Sequence, residues 1–112
     1  MGAITCKFGG TSLADANCIK KVAEIIYSSH DRKYIVPSAP GKRTANDKKI
    51  TDLLYLWYNI AREGLDPSEP EKIIRERFST IVSELGLKLN INSEIDNIAK
   101  NADKYDTPDY MA

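Results

Sequence analysis

Several residue types that build common active sites are scarce in this sequence. Among 112 residues there is one histidine, His30, and there are two cysteines, Cys6 and Cys18. His30 stands in a polar stretch of serine, aspartate and arginine, so a histidine-based catalytic dyad has little support. Cys6 falls in a predicted strand and Cys18 in a predicted helix. We therefore expect two buried thiols rather than a disulfide or half of a metal site.

Net charge and long apolar runs are missing as well. Lys plus Arg and Asp plus Glu each number 16, so the formal net charge is zero and does not steer the chain towards nucleic acid or an anionic membrane. The apolar runs are short and interrupted by charge, and no secretory signal pattern opens the chain. We expect a cytoplasmic protein that binds neither nucleic acid nor a membrane.

A pair of adjacent glycines near the N-terminus separates a predicted strand from a predicted helix. Apolar and polar residues alternate from Ile4 to Phe8, and Gly9-Gly10 then ends the strand. Ser12 is predicted to cap a helix over residues 13–28, with Asp15 completing a capping box. Backbone donors and the positive end of a helix dipole would then meet at one spot and stabilise an anion.

Lys7 would add a full positive charge to this spot. The functional interpretation is therefore a phosphate-binding loop. The residues match neither GxxxxGK[ST] nor GxGxxG. From spacing alone, a strand-to-helix turn that needs glycine only for its backbone, with Lys7 a solvated edge residue, fits equally well.

A second strand is predicted at residues 34–36, and we expect it to be buried. Strand, helix and strand in this order imply a parallel pair with a right-handed crossover, whose strand ends share one edge of the sheet. Ligands bind at that edge in α/β folds. The loop over residues 38–43 should therefore lie beside the glycine turn. Its basic residues, Lys42 and Arg43, fit a solvated loop as well as a phosphate site, and we leave them out of the site.

The second half of the chain is predicted to be helical. Thr51 is predicted to cap a helix that ends at Gly64, and Ser68 with Glu71 a helix that ends at Gly86. A shorter helix follows over residues 92–102, and Thr107-Pro108 is typical of another helix start. The aromatic residues of the first of these helices fit helix packing better than nucleotide stacking; they are Tyr55, Trp57 and Tyr58.

Two short strands cannot cover the apolar faces of about four helices, and the edges of the strands would stay unpaired. The pattern contains no internal repeat and no flexible linker. We therefore expect residues 1–112 to be the front part of one larger α/β domain.

Three linked motifs resemble the aspartokinases, which belong to the amino-acid kinase family. The first is the string Lys7-Phe8-Gly9-Gly10-Thr11-Ser12, the second is the strand end and loop over residues 35–42, and the third is Thr51-Asp52-Leu53-Leu54. The match covers residues 7–54 well, whereas the later helices fit only in type and order. The resemblance implies the N-terminal part of an αβα sandwich with a parallel β-α-β start followed by several helices.

The resemblance also implies an activity. Aspartokinases transfer the γ-phosphoryl group of ATP, bound with Mg²⁺, to the side-chain carboxylate of L-aspartate, giving 4-phospho-L-aspartate for lysine, threonine and methionine synthesis. The family's site would then be formed here by Lys7, which contacts the transferring group, by Phe8, Gly9, Gly10, Thr11 and Ser12 as the nucleotide phosphate loop, and by Ser38 and Thr51, which hold the amino acid. The full-length parent would be a homo-oligomer.

Some parts of the resemblance have alternatives or are missing. Thr51 could serve only as a helix cap, and Ser38 could satisfy only a turn. The family's acidic Gly-Glu helix, its substrate-binding arginine, most of its nucleotide pocket and its regulatory ACT domains match no position here. We therefore expect the chain by itself to be inactive.

Two other functions stay open at this point. One is another amino-acid kinase, acting on glutamate, uridylate or carbamate, and the motif at Thr51-Asp52-Leu53-Leu54 argues against it. The other is a non-catalytic module that keeps the fold for oligomerisation or weak nucleotide binding.

Overall fold

A computed structural model describes residues 2–102, 104, 105 and 107–111, which form two compact units. The first unit ends at Lys49 and the second begins at Ile50. The first contains β1 (Ile4–Phe8), α1 (Ala16–Tyr27) and β2 (Arg32–Pro37), and the second contains α2 (Ile50–Arg62), α3 (Ser68–Leu85), α4 (Ile91–Asn101) and α5 (Pro108–Met111). The α/β class, with a strand-helix-strand start followed by helices, is confirmed.

The two strands pair in parallel, as predicted. In the register, Thr5 lies beside Tyr34, Lys7 beside Val36 and Phe8 beside Pro37, with an irregularity after Ile4. Parallel neighbours need a crossover connection, and α1 provides it. Because both strands run the same way, the loops that follow Phe8 and Pro37 start at the same edge of the sheet.

The prediction that the second strand is buried is wrong. The side chains of Tyr34 and Val36 are 61% and 50% exposed. A sheet has two faces, and the described part of the first unit offers one long helix to cover them. One face of a two-stranded sheet therefore stays open in this unit.

The first long helix begins later than the sequence suggests, so the predicted Ser12 cap is wrong. Residues Gly10–Leu13 form a short 3₁₀ turn, in which the N–H of Ser12 donates to the oxygen of Gly9 at 3.1 Å. The N-cap of α1 is Asp15, whose Oδ1 accepts from the N–H of Cys18 at 2.9 Å. The sequence predicts Asp15 as the N3 residue of a capping box, whereas in the structure Asp15 is itself the capping residue.

The Asp15 cap predicts a specific dependence of stability on pH. The hydrogen bond from the Cys18 N–H holds the pKa of Asp15 below its usual value of 3.8. This stabilisation is fully present above that value and is lost as the pH falls through the lower, folded-state pKa. We expect Asp15→Ala to lower the free energy of unfolding by about 1 kcal/mol at neutral pH.

Urea unfolding at a series of pH values measures this contribution. The Asp15→Asn variant keeps a capping oxygen but cannot titrate. Its free energy of unfolding should therefore fall less steeply than that of the wild type below about pH 4, where carboxyl groups usually titrate. Identical acid dependence in wild type and Asp15→Asn would contradict the assignment of Asp15 as a titrating cap.

The second unit has an apolar core built by one face of α2 against α3. Trp57 is 1% exposed and Tyr58 is 6% exposed, so both pack in the core, as predicted, and offer no surface for nucleotide stacking. The remaining core positions recur at helical spacing and include Ile50, Leu53, Leu54, Ile74 and Ile81. No helix in the described ranges is long and apolar enough to cross a membrane.

Polar contacts join the other helices of this unit. The hydroxyl of Tyr55 donates to Oδ1 of Asp109 at 2.8 Å and so links α2 to α5. Arg75 on α3 donates to Oδ1 of Asp96 on α4 at 2.6 Å. These pairs are exposed, and each contributes little to stability by itself.

Two predicted N-caps in this unit are also wrong. Thr51 lies inside the first turn of α2, which begins at Ile50. Ser68 is the first residue of α3, and its N–H and Oγ both donate to the carboxylate of Asp66, at 3.1 and 3.0 Å. The N–H of Glu71 donates to the oxygen of Pro67 at 3.2 Å, and the N–H of Ser68 is bonded to Asp66, so the Ser68–Glu71 capping box does not form.

The predicted helix ends are confirmed. Gly64 and Gly86 have φ values of +73° and +66°, which glycine adopts without steric cost. After α2, the N–H of Leu65 donates to the oxygen of Ile60 at 3.1 Å, which is the 6→1 hydrogen bond of a Schellman motif. In addition, α4 begins at Ile91, with Asn90 as its cap, and α5 begins at Pro108 as predicted.

Candidate functional site

Two loops meet where β1 and β2 end. The N–H of Ser38 donates to the oxygen of Phe8 at 2.9 Å, and the N–H of Gly41 donates to the oxygen of Gly10 at 2.8 Å. The first bond extends the strand ladder by one step, and the second joins the loop after β2 to the glycine turn. This confirms the prediction that residues 38–43 lie beside Gly9-Gly10. We call residues 9–12 the glycine loop and residues 38–47 the β2 loop.

The glycine loop presents backbone donors at the end of β1. Gly9 is extended, with φ −75° and ψ 171°, and precedes the 3₁₀ turn. The first N–H groups of a helical turn have no acceptor within that turn, so those of Gly10 and Thr11 are the donors available there. The side chains of Lys7, Thr11 and Ser12 are exposed. An anion could therefore reach both the amides and the lysine.

The positive end of α1 does not contribute to this spot as the sequence suggests. The helix starts at Ala16, beyond the 3₁₀ turn, and the carboxylate of Asp15 already accepts a hydrogen bond at its N-terminus. A second anion there would meet a negative charge. Donors for a phosphate group must instead come from the glycine loop and Lys7.

The β2 loop is closed by an ion pair of its own. Nε and Nη2 of Arg43 donate to the two carboxylate oxygens of Asp47 at 2.7 and 3.2 Å. The backbone N–H of Arg43 donates to the same carboxylate at 2.9 Å. Because Arg43 is engaged in this bidentate pair, its charge shapes the loop, which agrees with leaving it out of the site.

Comparison with curated proteins finds aspartokinases. The chain is 41% identical over 90 residues to aspartokinase 3 of Bacillus subtilis, a match that covers 80% of the chain. It is 33% identical over 88 residues to the aspartokinase of Chlamydia trachomatis, covering 79% of the chain. No family model matches. The matches span 20% and 18% of the lengths of those relatives, so the chain corresponds to about a fifth of each.

Solved structures give the same result for the fold. The aspartate kinase of Clostridium acetobutylicum superposes with a TM-score of 0.94 at 46% identity, covering the whole of this chain and 26% of that one. The chain belongs to the aspartokinase family. Aspartokinase III of E. coli, crystallised with aspartate and ADP, matches with a TM-score of 0.72 at 29% identity, covering 97% of this chain and 25% of that one.

For this member of the aspartokinase family, the structure brings most of the predicted site residues together. Lys7 and Phe8 end β1, the glycine loop follows, and Ser38 is hydrogen-bonded to Phe8. Thr51 is half-buried in the first turn of α2, which belongs to the second unit. Its contact with an amino-acid substrate stays a prediction.

The environment of Cys18 in this aspartokinase segment does not favour a nucleophilic thiolate. Cys6 and Cys18 are free thiols, as predicted, although both are half-buried rather than buried. The hydrogen bond to the Asp15 carboxylate raises the pKa of Cys18, which keeps this thiol protonated. His30 is exposed, as expected for a surface residue.

One residue of the site was missed by reasoning from the sequence. Gly41 is buried, and a Cβ atom built on it would lie 2.7 Å from the carbonyl carbon of Gly10. The sequence signal was present, because Gly41 belongs to the second aspartokinase motif, but a motif does not show which glycine is needed for space.

Proposed function

We propose that this chain forms the phosphate-binding part of an aspartokinase active site. The enzyme that contains it transfers the γ-phosphoryl group of ATP to the side-chain carboxylate of L-aspartate, giving 4-phospho-L-aspartate in lysine, threonine and methionine synthesis. The observation that carries this proposal is the pair of backbone bonds that joins the β2 loop to the glycine loop at the strand ends. The E. coli relative crystallised with aspartate and ADP supports the choice of ligands.

The residues from Lys7 to Ser12 hold the nucleotide phosphates in this proposal. Backbone amides at Gly10 and Thr11 donate to phosphoryl oxygens, and the ammonium group of Lys7 neutralises the charge that develops on the transferring group. Gly9 leaves room for close approach, because nothing lies within 4 Å of a Cβ built there. Phe8 is the last residue of β1, the strand that carries Lys7.

Ser38 and Thr51 hold the amino acid. A side-chain carboxylate with a pKa of about 4 is already ionised at neutral pH, so the nucleophile needs no general base. The reaction then depends on in-line positioning and on charge neutralisation. The bond from the Ser38 N–H to the Phe8 oxygen holds Ser38 next to the start of the glycine loop, which supports this role.

Mg²⁺ enters this site together with ATP. Among the described residues, no group of three or more His, Cys, Asp or Glu side chains could hold a metal ion. Proteins commonly hold Mg²⁺ through substrate phosphates and only one or two carboxylates, so ATP would be the main ligand. When bound, the ion would neutralise charge on the phosphoryl oxygens.

The proposal extends to the larger enzyme. The curated relatives are about five times as long as the matched region. We place this chain as the N-terminal part of a single amino-acid kinase domain, because its motifs and its strand-helix-strand order resemble the start of such a domain. The 112 residues by themselves are expected to be inactive. We place the enzyme in the cytoplasm as a homo-oligomer.

Calorimetric titration of the chain with Mg-ATP and with L-aspartate tests whether the phosphate site is preformed. We expect saturable binding of Mg-ATP to the wild type and its loss in Lys7→Ala. Lys20→Ala is the matched control, because it removes the same charge from an exposed position on α1. Equal affinity in wild type and Lys7→Ala would remove Lys7 from the site. No binding by a folded sample would show that this chain does not form a phosphate site by itself.

A further inference from the structure

At Gly41, the backbone of the β2 loop lies in close contact with the backbone of the glycine loop. A Cβ atom on Gly41 would lie 2.7 Å from the carbonyl carbon of Gly10, 2.9 Å from its oxygen and 3.0 Å from the nitrogen of Thr11. All three neighbours are backbone atoms, which cannot swing aside as a flexible side chain can. Any side chain at position 41 must therefore move the main chain of one loop or the other.

Space, rather than backbone conformation, is what requires glycine at this position. Among the described glycines, only Gly64 and Gly86 have positive φ values, so Gly41 adopts a conformation open to other residues. A side chain at Gly10 would also meet the β2 loop, but at slightly longer distances. A Cβ on Gly10 would lie 3.1 Å from the oxygen of Ala39 and 3.2 Å from Cα and N of Gly41.

The β2 loop is bonded to β1 before Gly41 and is closed on itself after Gly41. Before it, the N–H of Ser38 is bonded to the oxygen of Phe8. After it, the bidentate pair between Arg43 and Asp47 closes the loop, reinforced by the bond from the Arg43 N–H. Because Ser38 is bonded to Phe8, the β2 loop cannot move freely away from the glycine loop when a side chain is added at Gly41. Part of the displacement of the backbone is therefore taken up by Gly10 and Thr11.

We infer that Gly41 is a positioning residue for the phosphate site. Its N–H donates to the oxygen of Gly10, and its missing side chain lets the two backbones touch, so together they set the orientation of the Gly10 and Thr11 amides. Ser38 and Gly41 lie on one loop, so the same contact fixes the acceptor side of the site relative to the nucleotide side. The assignment of ATP as the ligand rests on the proposed function, whereas the contact does not.

Nuclear magnetic resonance of the chain tests the contact directly. In the wild type we expect a hydrogen-bond scalar coupling between the nitrogen of Gly41 and the carbonyl carbon of Gly10. In Gly41→Ala we expect this coupling to be lost and the amide shifts of Gly10 and Thr11 to move. Asn46→Ala is the matched control, because Asn46 is exposed in the same loop and should leave those shifts unchanged.

Calorimetry on the same samples supplies the functional measurement. We expect Gly41→Ala to weaken the binding of Mg-ATP by about tenfold or more, while Asn46→Ala binds as the wild type does. Should Gly41→Ala fail to fold, Gly10→Ala tests the same contact with a milder clash, and its amide shifts should move at Ala39 and Gly41.

The outcomes separate this inference from the proposed function. Unchanged Gly10 and Thr11 shifts in a folded Gly41→Ala, or Mg-ATP affinity equal to that of the wild type, would overturn the positioning role while leaving the proposed function intact. A wild type that shows the Gly41–Gly10 coupling but binds no Mg-ATP would support the contact and count against the proposed phosphate site.

Discussion

Replacing Lys7 with alanine should lower the rate of phosphoryl transfer by a factor on the order of a hundred or more, by analogy with the removal of other transition-state donors. Lys7 is exposed beside the glycine loop, at the end of β1, where its charge can reach a phosphoryl group held by the loop amides. In the transition state, negative charge is redistributed over the equatorial oxygens of the transferring group and the leaving oxygen. We therefore expect kcat to fall more than the KM values rise.

The measurement needs an enzyme with all parts of the site. A chimera in which the 90 aligned residues of this chain replace their counterparts in Bacillus subtilis aspartokinase 3 provides one. Release of ADP then gives kcat and the KM values for ATP and aspartate. The active parent chimera is the reference and Lys20→Ala the charge-matched control. Near-normal turnover of Lys7→Ala in this background would exclude Lys7 from the mechanism.

The glycine loop and its neighbours could be predicted because the signals are local. Alternation from Ile4 to Phe8 gives the strand, the Gly9-Gly10 pair ends it, and helical spacing of apolar residues gives α1. The parallel pairing followed from element order alone. Once two parallel strands were expected, the meeting of the β2 loop with the glycine loop followed from topology, and the structure confirms it.

The helix caps were predicted poorly because several good capping residues compete over a few positions. Ser12 was chosen where Asp15 caps the helix, and Thr51 and Ser68 were chosen where each helix already includes them. Residue type identifies a candidate cap, but the turn that precedes the helix decides which candidate lies at the boundary. Here a 3₁₀ turn and the Asp66 carboxylate decided it.

Burial and close approach depend on parts of the chain that are distant in sequence. The exposure of Tyr34 and Val36 follows from the number of layers available to cover the sheet, which no local pattern contains. The need for glycine at position 41 comes from a contact with Gly10 across two loops. Such a requirement becomes visible only when both backbones have coordinates.

Trp57→Ala should destabilise the second unit by about 3–5 kcal/mol, which is the usual cost of deleting a large aromatic side chain from a packed core. Trp57 is 1% exposed on the face of α2 that also buries Ile50 and Leu53. Because a domain has only about 5–15 kcal/mol of net stability, the variant should unfold at markedly lower urea concentration. Far-UV circular dichroism measures this without depending on tryptophan fluorescence, which the substitution removes.

Leu56→Ala is the matched control, because it truncates the neighbouring side chain on the same helix where 39% of Leu56 is exposed. It removes less buried surface than the loss of Trp57 does, so we expect its urea midpoint to fall by much less than that of Trp57→Ala. Equal losses in the two variants would mean that α2 does not pack as described. The comparison also bears on Thr51, a residue of the proposed site. Thr51 occupies the first turn of the same helix, so its position depends on the core that Trp57 fills rather than on any cap of its own.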